Sequence, residues 1–184
     1  MRILVTGATG FVGRWLIEDL RAAGHEALAA PGSSALDITD RASVSDLVAV
    51  SRPDAIAHLA GMSFAMDAAR DPERALAVNE GGTRAVVAAA AERATAAAGA
   101  TIPVLVAGSA DVYGPPAPGD LPIRENAPLV PDRPYGRSKL AQELAALEMG
   151  AERGVPVVVT RSFNHTGPGQ RPDFVAPALA GRRG

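Results

Sequence analysis

The segment Gly7-Ala8-Thr9-Gly10-Phe11-Val12-Gly13 constrains this chain more than any other. It follows the apolar run Arg2 to Thr6 and leads into Trp15, Leu16, Ile17 and Leu20, which fall at helical spacing. Glycines at G-x-x-G-x-x-G spacing let the backbone turn tightly and approach a ligand closely. The helix that follows offers unpaired N–H groups and a partial positive charge, so a pyrophosphate suits this turn. A glycine triplet alone says little, but one placed after the first strand and opening the first helix points firmly to dinucleotide binding. Trp15 and the apolar residues of that helix are expected in the core.

Short β-rich apolar runs then alternate with longer helical patterns. Strands are predicted at Arg2 to Thr6, Glu26 to Ala30, Ala55 to Leu59, Val104 to Ala107 and Val155 to Arg161. Helices are predicted near Gly10 to Ala23, Arg41 to Val50, Asp71 to Ala98 with a break, and Pro134 to Arg153. The strands are apolar on both faces, as expected of a Rossmann-like, doubly wound α/β fold whose parallel sheet has helices on both sides. Six prolines between Tyr113 and Arg133 make that segment an irregular loop, and long loops in compact domains often carry function.

Composition narrows the partners. The 18 Lys+Arg against 20 Asp+Glu give a net charge of -2, without the basic excess that phosphate neutralisation on nucleic acid requires. There is no cysteine, which excludes disulfides and thiolate chemistry, and His25 and His58 are too isolated to suggest a metal site. The start of the chain does not read as a signal peptide. The longest apolar stretches, Ala85 to Ala91 and Val155 to Val159, are far short of a membrane span. A soluble cytoplasmic protein is expected.

In NAD-binding domains an acid near the end of strand two holds the ribose hydroxyls, but here that region reads Leu28-Ala29-Ala30-Pro31-Gly32-Ser33. Ser33, Ser34 or a nearby arginine could instead accept a 2′-phosphate, which favours NADP over NAD. Asp37, next to Ile38, sits where a carboxylate could accept a bond from the adenine amine. Capping of the next helix is the other reading, and Thr39 or Asp40 could equally provide that cap.

Tyr135 and Lys139 lie four residues apart after Pro134 and so share one helix face. An ammonium near a phenol favours the phenolate and would bring a pKa of about 10 toward working pH, as carbonyl–alcohol interconversion needs. Ser109, in Gly108-Ser109-Ala110-Asp111, follows the fourth strand and falls at the carboxyl edge where ligands bind.

Taken together, the glycine turn, Asp37-Ile38, His58-Leu59-Ala60-Gly61, Asn79, Ser109, Tyr135 and Lys139 resemble the extended short-chain dehydrogenase/reductase family of NAD(P)-dependent sugar-nucleotide epimerases, dehydratases and reductases, along essentially the whole chain. The resemblance implies a cofactor site built from Gly7, Thr9, Gly10, Phe11, Val12, Gly13, Asp37, Ile38, Leu59, Ala60, Gly61, Asn79, Tyr135 and Lys139. It also implies that Tyr135 is the proton donor or acceptor, that Lys139 binds the nicotinamide ribose and tunes Tyr135, and that Ser109 orients the substrate. Asp111 stands two positions after Ser109, where a dehydratase carries an acid, although a glutamate is usual there. Asn79 also reads as a structural polar residue inside a helix. The run from Arg161 to Gln170 looks like the segment found in GDP-4-keto-6-deoxymannose reductases, where Asn164 would approach the substrate diphosphate. His165 beside it reads more readily as a partly buried hydrogen-bonding residue than as a catalytic one.

The resemblance implies reduction of a nucleoside-diphosphate 4-keto-6-deoxy sugar, with a 4-epimerase or a 4,6-dehydratase using Asp111 as alternatives. Residues 1–161 would form the NAD(P)-binding domain, and 162–184 the start of a substrate-binding region that family members continue beyond this length. A truncated, non-catalytic dinucleotide-binding module is the reading from a different class. A homodimer through the helices of the alanine-rich stretch and of Tyr135, with exposed alanines permitting close approach, is compatible with the sequence, as is a monomer.

Overall fold

The computed structural model describes residues 1–97 and 100–180. Five parallel strands form one sheet: β1 (Arg2–Thr6), β2 (Glu26–Ala29), β3 (Ala55–His58), β4 (Val104–Ala107) and β5 (Val157–Thr160), in the order β2-β1-β3-β4-β5. The chain starts in the middle of the sheet, moves out to β2, and crosses back to β3. The carboxyl ends of β1 and β3 therefore flank the point where the order reverses, the place where open α/β sheets form a ligand crevice. Thr6 pairs with His58 in register, so the Gly7 turn and the Leu59 turn emerge side by side.

The helices are α1 (Phe11–Ala22), α2 (Arg41–Ser51), α3 (Ala65–Arg70), α4 (Pro72–Leu76), α5 (Gly82–Ala96), α6 (Pro134–Arg153) and α7 (Val175–Ala180). The Asp40 carboxylate caps α2 by accepting from the Ala42 N–H, which settles which residue starts that helix. α6 begins with Pro134 in its first turn and ends at Gly154 in the left-handed region, matching the predicted span. The long pattern after Asp71 is broken as expected, but by a π-helical turn, Ala77–Gly81, set between α4 and α5. α3 and α7 were not predicted, and the predicted end of the broken helix at Ala98 lies outside the described residues. The Tyr113 to Arg133 segment is irregular apart from a short 3-10 turn at Pro118–Asp120.

The core lies on the face of the sheet covered by α2, α5 and α6, where Leu4, Ile56, Val104 and Val106 meet Val44, Val48 and the alanines of α5. Ala85, Ala88, Ala89 and Ala90 are at most 4% exposed, so these alanines let α5 pack closely within the chain. They are not the exposed contact surface expected for a dimer. On the other face α1 covers Val5, Ala27 and Ala57, while Leu105 and Val158 stay open to solvent. Among the described residues, helical cover on both sides thus holds for β1 to β3. Trp15 departs from expectation as well. It is 46% exposed and donates from Nε1 to the Pro168 carbonyl at 3.3 Å. No described helix is long and apolar enough to cross a membrane.

Candidate active site

The glycine turn is closed by a hydrogen bond from the Gly10 N–H to the Gly7 carbonyl (2.9 Å), and α1 starts at once. Gly13 is required by close approach, because a Cβ there would overlap the Gly7 carbonyl oxygen. The first turn of α1 has no side-chain cap and no acidic residue. Its N–H groups at Phe11, Val12 and Gly13 therefore face a position that suits an anion. Thr9, exposed in the turn, leans toward Gly32 in the loop after β2. That loop presents Ser33 and Ser34 to solvent.

Leu59 and Ala60 run alongside the turn: a side chain at Gly7 would meet the Ala60 nitrogen at 2.7 Å. Gly61 lies equally close to the π-helical turn, since a Cβ on it would come within 2.7 Å of Asn79 Oδ1. Asn79 is fully buried; it accepts from the Met62 N–H (2.8 Å) and donates to the Met62 carbonyl (3.2 Å) and to Ser138 Oγ (2.9 Å). These bonds clamp the loop after β3 to α6, which favours the structural reading of Asn79. Ser138 in turn donates to the Tyr135 carbonyl at 2.8 Å.

Ser109 and Tyr135 meet at the carboxyl end of β4. Ser109 is 8% exposed and starts the 3-10 turn Ala110–Tyr113, its Oγ accepting from the Asp111 N–H. The Tyr135 phenol is pushed above its ordinary value, chiefly by burial; the nearby Ser109 hydroxyl opposes this, and the charge of exposed Asp111 adds to it. By spacing alone, Lys139 would lower the Tyr135 pKa. Instead, the Lys139 ammonium turns beneath α6 and donates to the Ala107 carbonyl and to Gln142 Oε1, each at 2.8 Å. Two close acceptors capture it, and a shared helix face does not reveal such competitors. Burial lowers the Lys139 pKa to about 8.

Behind this cluster, Arg161 draws the proline-rich loop inward. It forms a bidentate pair with Glu143, donates to Tyr113 Oη (2.9 Å) and the Glu125 carbonyl (2.6 Å), and lies 5.2 Å from the centre of the Tyr113 ring. Its guanidinium is held even more firmly protonated than usual, first by the bond to Glu143.

The remaining expected residues have surroundings of their own. Asp37 is exposed and accepts from the Thr39 N–H and hydroxyl, which lowers its carboxyl pKa, the backbone bond contributing most. The Ile38 side chain is in the core, packed where any side chain on Gly82 would clash with it. Asn164 and His165 are exposed. Contrary to expectation, the His165 imidazole is not partly buried; only its carbonyl is engaged, by Gln170. The following segment crosses to α1, where the Arg14 guanidinium donates to the Gly169 carbonyl at 3.2 Å. Among the described residues no cluster of His, Cys, Asp and Glu could hold a metal ion. Sequence reasoning missed Ser138, Gln142 and Thr83. A usable signal existed, since Lys139 is the only lysine among the 18 basic residues and its partner Gln142 lies three positions on, on the same helix face.

Comparison with known proteins places nearly the whole chain among sugar-nucleotide enzymes. The chain is 40% identical over 179 residues to GDP-6-deoxy-D-mannose reductase of Pseudomonas aeruginosa, covering 97% of this chain and 57% of the relative. The structure of RMD from Pseudomonas aeruginosa complexed with NADPH superposes with a TM-score of 0.80 at 40% identity, over 94% of this chain and 56% of that one. UDP-glucose 4-epimerase of Thermus thermophilus, in complex with NAD, gives 0.85 at 28% identity, over 98% of this chain and 60% of the other. The chain thus spans less than two thirds of the length of these relatives. The family model described as the NAD dependent epimerase/dehydratase family matches residues 3–182, and the chain belongs to that family.

Proposed function

We propose that this chain is the cofactor-binding part of a reductase that acts on a nucleoside-diphosphate 4-keto-6-deoxy sugar, with NADPH favoured over NADH. The observation that carries the reading is the meeting of Ser109 and Tyr135 at the carboxyl end of β4, beside the strand-order switch where the glycine turn opens. Support comes from similarity to a GDP-6-deoxy-D-mannose reductase and to a relative's complex with NADPH.

The residues present fit a dinucleotide. The uncapped start of α1 and the close approach at Gly13 leave backbone N–H groups for the pyrophosphate, and Leu59-Ala60 forms the opposite wall. Ser33 and Ser34 can meet a 2′-phosphate, and Lys139 can reach the ribose hydroxyls. When bound, the cofactor supplies the hydride that goes to C4. Ser109 holds the ketone oxygen. Tyr135, kept protonated by its burial, gives its proton to the oxygen as the C4 alcohol forms, and solvent returns a proton to the phenol. Residues 1–161 form the cofactor domain, and 162–184 begin the substrate region, with Asn164 and His165 toward the sugar nucleotide. A second copy of the chain is the proposed partner, through exposed Leu144 and Leu147 of α6.

The test is oxidation of NADPH, followed by its absorbance, when the chain is mixed with GDP-4-keto-6-deoxymannose. Tyr135→Phe should lower turnover roughly 10²- to 10⁴-fold while leaving NADPH affinity nearly intact. Absence of turnover in the wild-type chain sinks the reductase reading. NADPH binding without binding of any sugar nucleotide would make the chain a cofactor module only.

A further inference from the structure

The only lysine of the chain ends a buried polar chain that crosses the molecule. Lys139 Nζ donates to Gln142 Oε1 at 2.8 Å, and Gln142 Nε2 donates to Thr83 Oγ1 at 2.9 Å. Thr83 Oγ1 lies 3.0 Å from His58 Nε2, and His58 Nδ1 lies 2.7 Å from Thr6 Oγ1. The Thr6 hydroxyl also accepts from the Ala60 N–H at 3.2 Å. All five side chains are at most 6% exposed.

The directions of these bonds follow from chemistry. An ammonium has only donors, so the Gln142 oxygen must face it and the amide nitrogen must face Thr83. His58 is neutral, its pKa lowered to about 3, first by burial and then by the Lys139 charge. In either tautomer one ring nitrogen donates and the other accepts, so both threonine hydroxyls stay bonded. The Gln142 amide interrupts any path of exchangeable protons between Lys139 and His58. The chain orients groups and does not conduct protons.

We propose that Gln142 is a positioning residue that seats the Lys139 ammonium, and that Thr83, His58 and Thr6 fix the Gln142 amide and tie this seat to the backbone turn at Ala60. The ribose-binding and pyrophosphate-binding ends of the cofactor site are thereby held in register by one buried network. The cofactor part of this inference rests on the reading of Lys139 as a cofactor ligand; the seat itself does not.

Charged groups reach toward Lys139 from several elements, among them Asp71, Glu73 and Arg74 at α4, which packs on α6. His58 faces it from β3; Tyr135 and Glu143 lie one turn before and after it on α6, and Glu143 is taken by Arg161. Asp111, after β4, bears on Tyr135. Glu80 of the π-helical turn pairs with Arg84 of α5, and Asp67 and Arg70 of α3 pair with each other.

A single lysine gives a single ε-methylene signal in protein labelled with carbon-13 lysine, so its titration can be read by NMR without cofactor or substrate. Gln142→Leu removes an acceptor and should lower the midpoint; Gln142→Glu places a carboxylate there and should raise it. Thr83→Val should lower it less than Gln142→Leu does, and Thr83→Ser, which keeps the hydroxyl, should titrate with the wild type. NADPH affinity, measured by fluorescence titration, should fall about tenfold or more in Gln142→Leu, the scale of one lost bond to a charged group. If Gln142→Leu does not fold, the opposite shifts in Gln142→Glu and Thr83→Val still test the seat. Equal midpoints in all variants overturn the proposal. Shifted midpoints with unchanged NADPH affinity leave the seat standing and overturn the role of Lys139 as a cofactor ligand.

Discussion

Toward α2, α5 and α6 the sheet presents Leu4, Ile56, Val104 and Val106, each at most 2% exposed; toward α1 it presents Val5 and Ala57, and then Leu105 and Val158 at 40% and 61%. Side chains alternate across a strand, so the two sets come from adjacent residues of the same short runs. The fully covered face also carries Thr6 and His58 at the carboxyl ends of β1 and β3, where α5 and α6 bring Thr83, Gln142 and Lys139 against them. A polar network holds one geometry only where water cannot compete for its groups, and this face supplies such a place. Hydrophobic cover and site geometry are thus one construction.

The largest consequence should appear in stability. Ile56→Ala opens a cavity at the centre of the covered face and should cost about 2–5 kcal/mol in denaturant unfolding. Arg161→Met comes next, because it leaves the Glu143 carboxylate, 4% exposed, without its partner. Breaking fully buried pairs costs about 3–5 kcal/mol; Arg161 still reaches water, so about 2–3 kcal/mol is expected here. The same variant should raise proteolysis within the Tyr113 to Arg133 loop. Equal cleavage of wild type and variant would show that Arg161 does not hold the loop.

The pH dependence bears on the same contrast. His58 titrates near 3 when folded and near 6.5 when unfolded, so between these values the unfolded chain binds the extra proton. Stability from this group is complete above pH 6.5 and is lost as pH falls toward 3, at about 1.4 kcal/mol per unit. Lys139 acts in the same direction at higher pH. Between about 8 and its ordinary 10.5 only the unfolded chain keeps the proton, so stability rises through that window. His58→Gln should flatten the acid limb measured by urea unfolding between pH 4 and 6.5; an unchanged slope would place the acid sensitivity in other groups.

Much of this was legible beforehand, and particular residues show where reading stopped. α6 matched because Pro134 and Gly154 are chemical start and stop signals. The strand-helix alternation and the glycine turn pointed to a parallel sheet with a dinucleotide turn, and the place of Ser109 after the fourth strand put it at the carboxyl edge; the strand order that makes a switch point there is a property of the fold. What failed depended on contacts distant in sequence. Trp15 has the spacing of a core residue, but it faces Pro168, 153 residues on. Tyr135 and Lys139 share a face, but the Ala107 carbonyl, 32 residues away, draws the ammonium elsewhere. The π-helical turn was invisible because Ala77–Gly81 has no pattern distinguishing it from an α-helix, although it carries Asn79 into the site.

The mildest change should come from the open face. Val158 is 61% exposed at the sheet edge, and the six residues of α7 do not cover it: Val175 and Leu179 are themselves 76% and 59% exposed. Truncation of an uncovered side chain removes little buried area, so Val158→Ala should change unfolding free energy by less than about 0.5 kcal/mol. Leu105→Ala, at 40% exposure on the neighbouring strand, should cost more than that but well below the Ile56→Ala loss, because only part of its surface is removed from water. If Val158→Ala instead costs as much as Ile56→Ala, this face is covered in solution. The contrast between a finished and an unfinished face would then fail, and repeating the measurement across protein concentration would show whether a second copy supplies the cover.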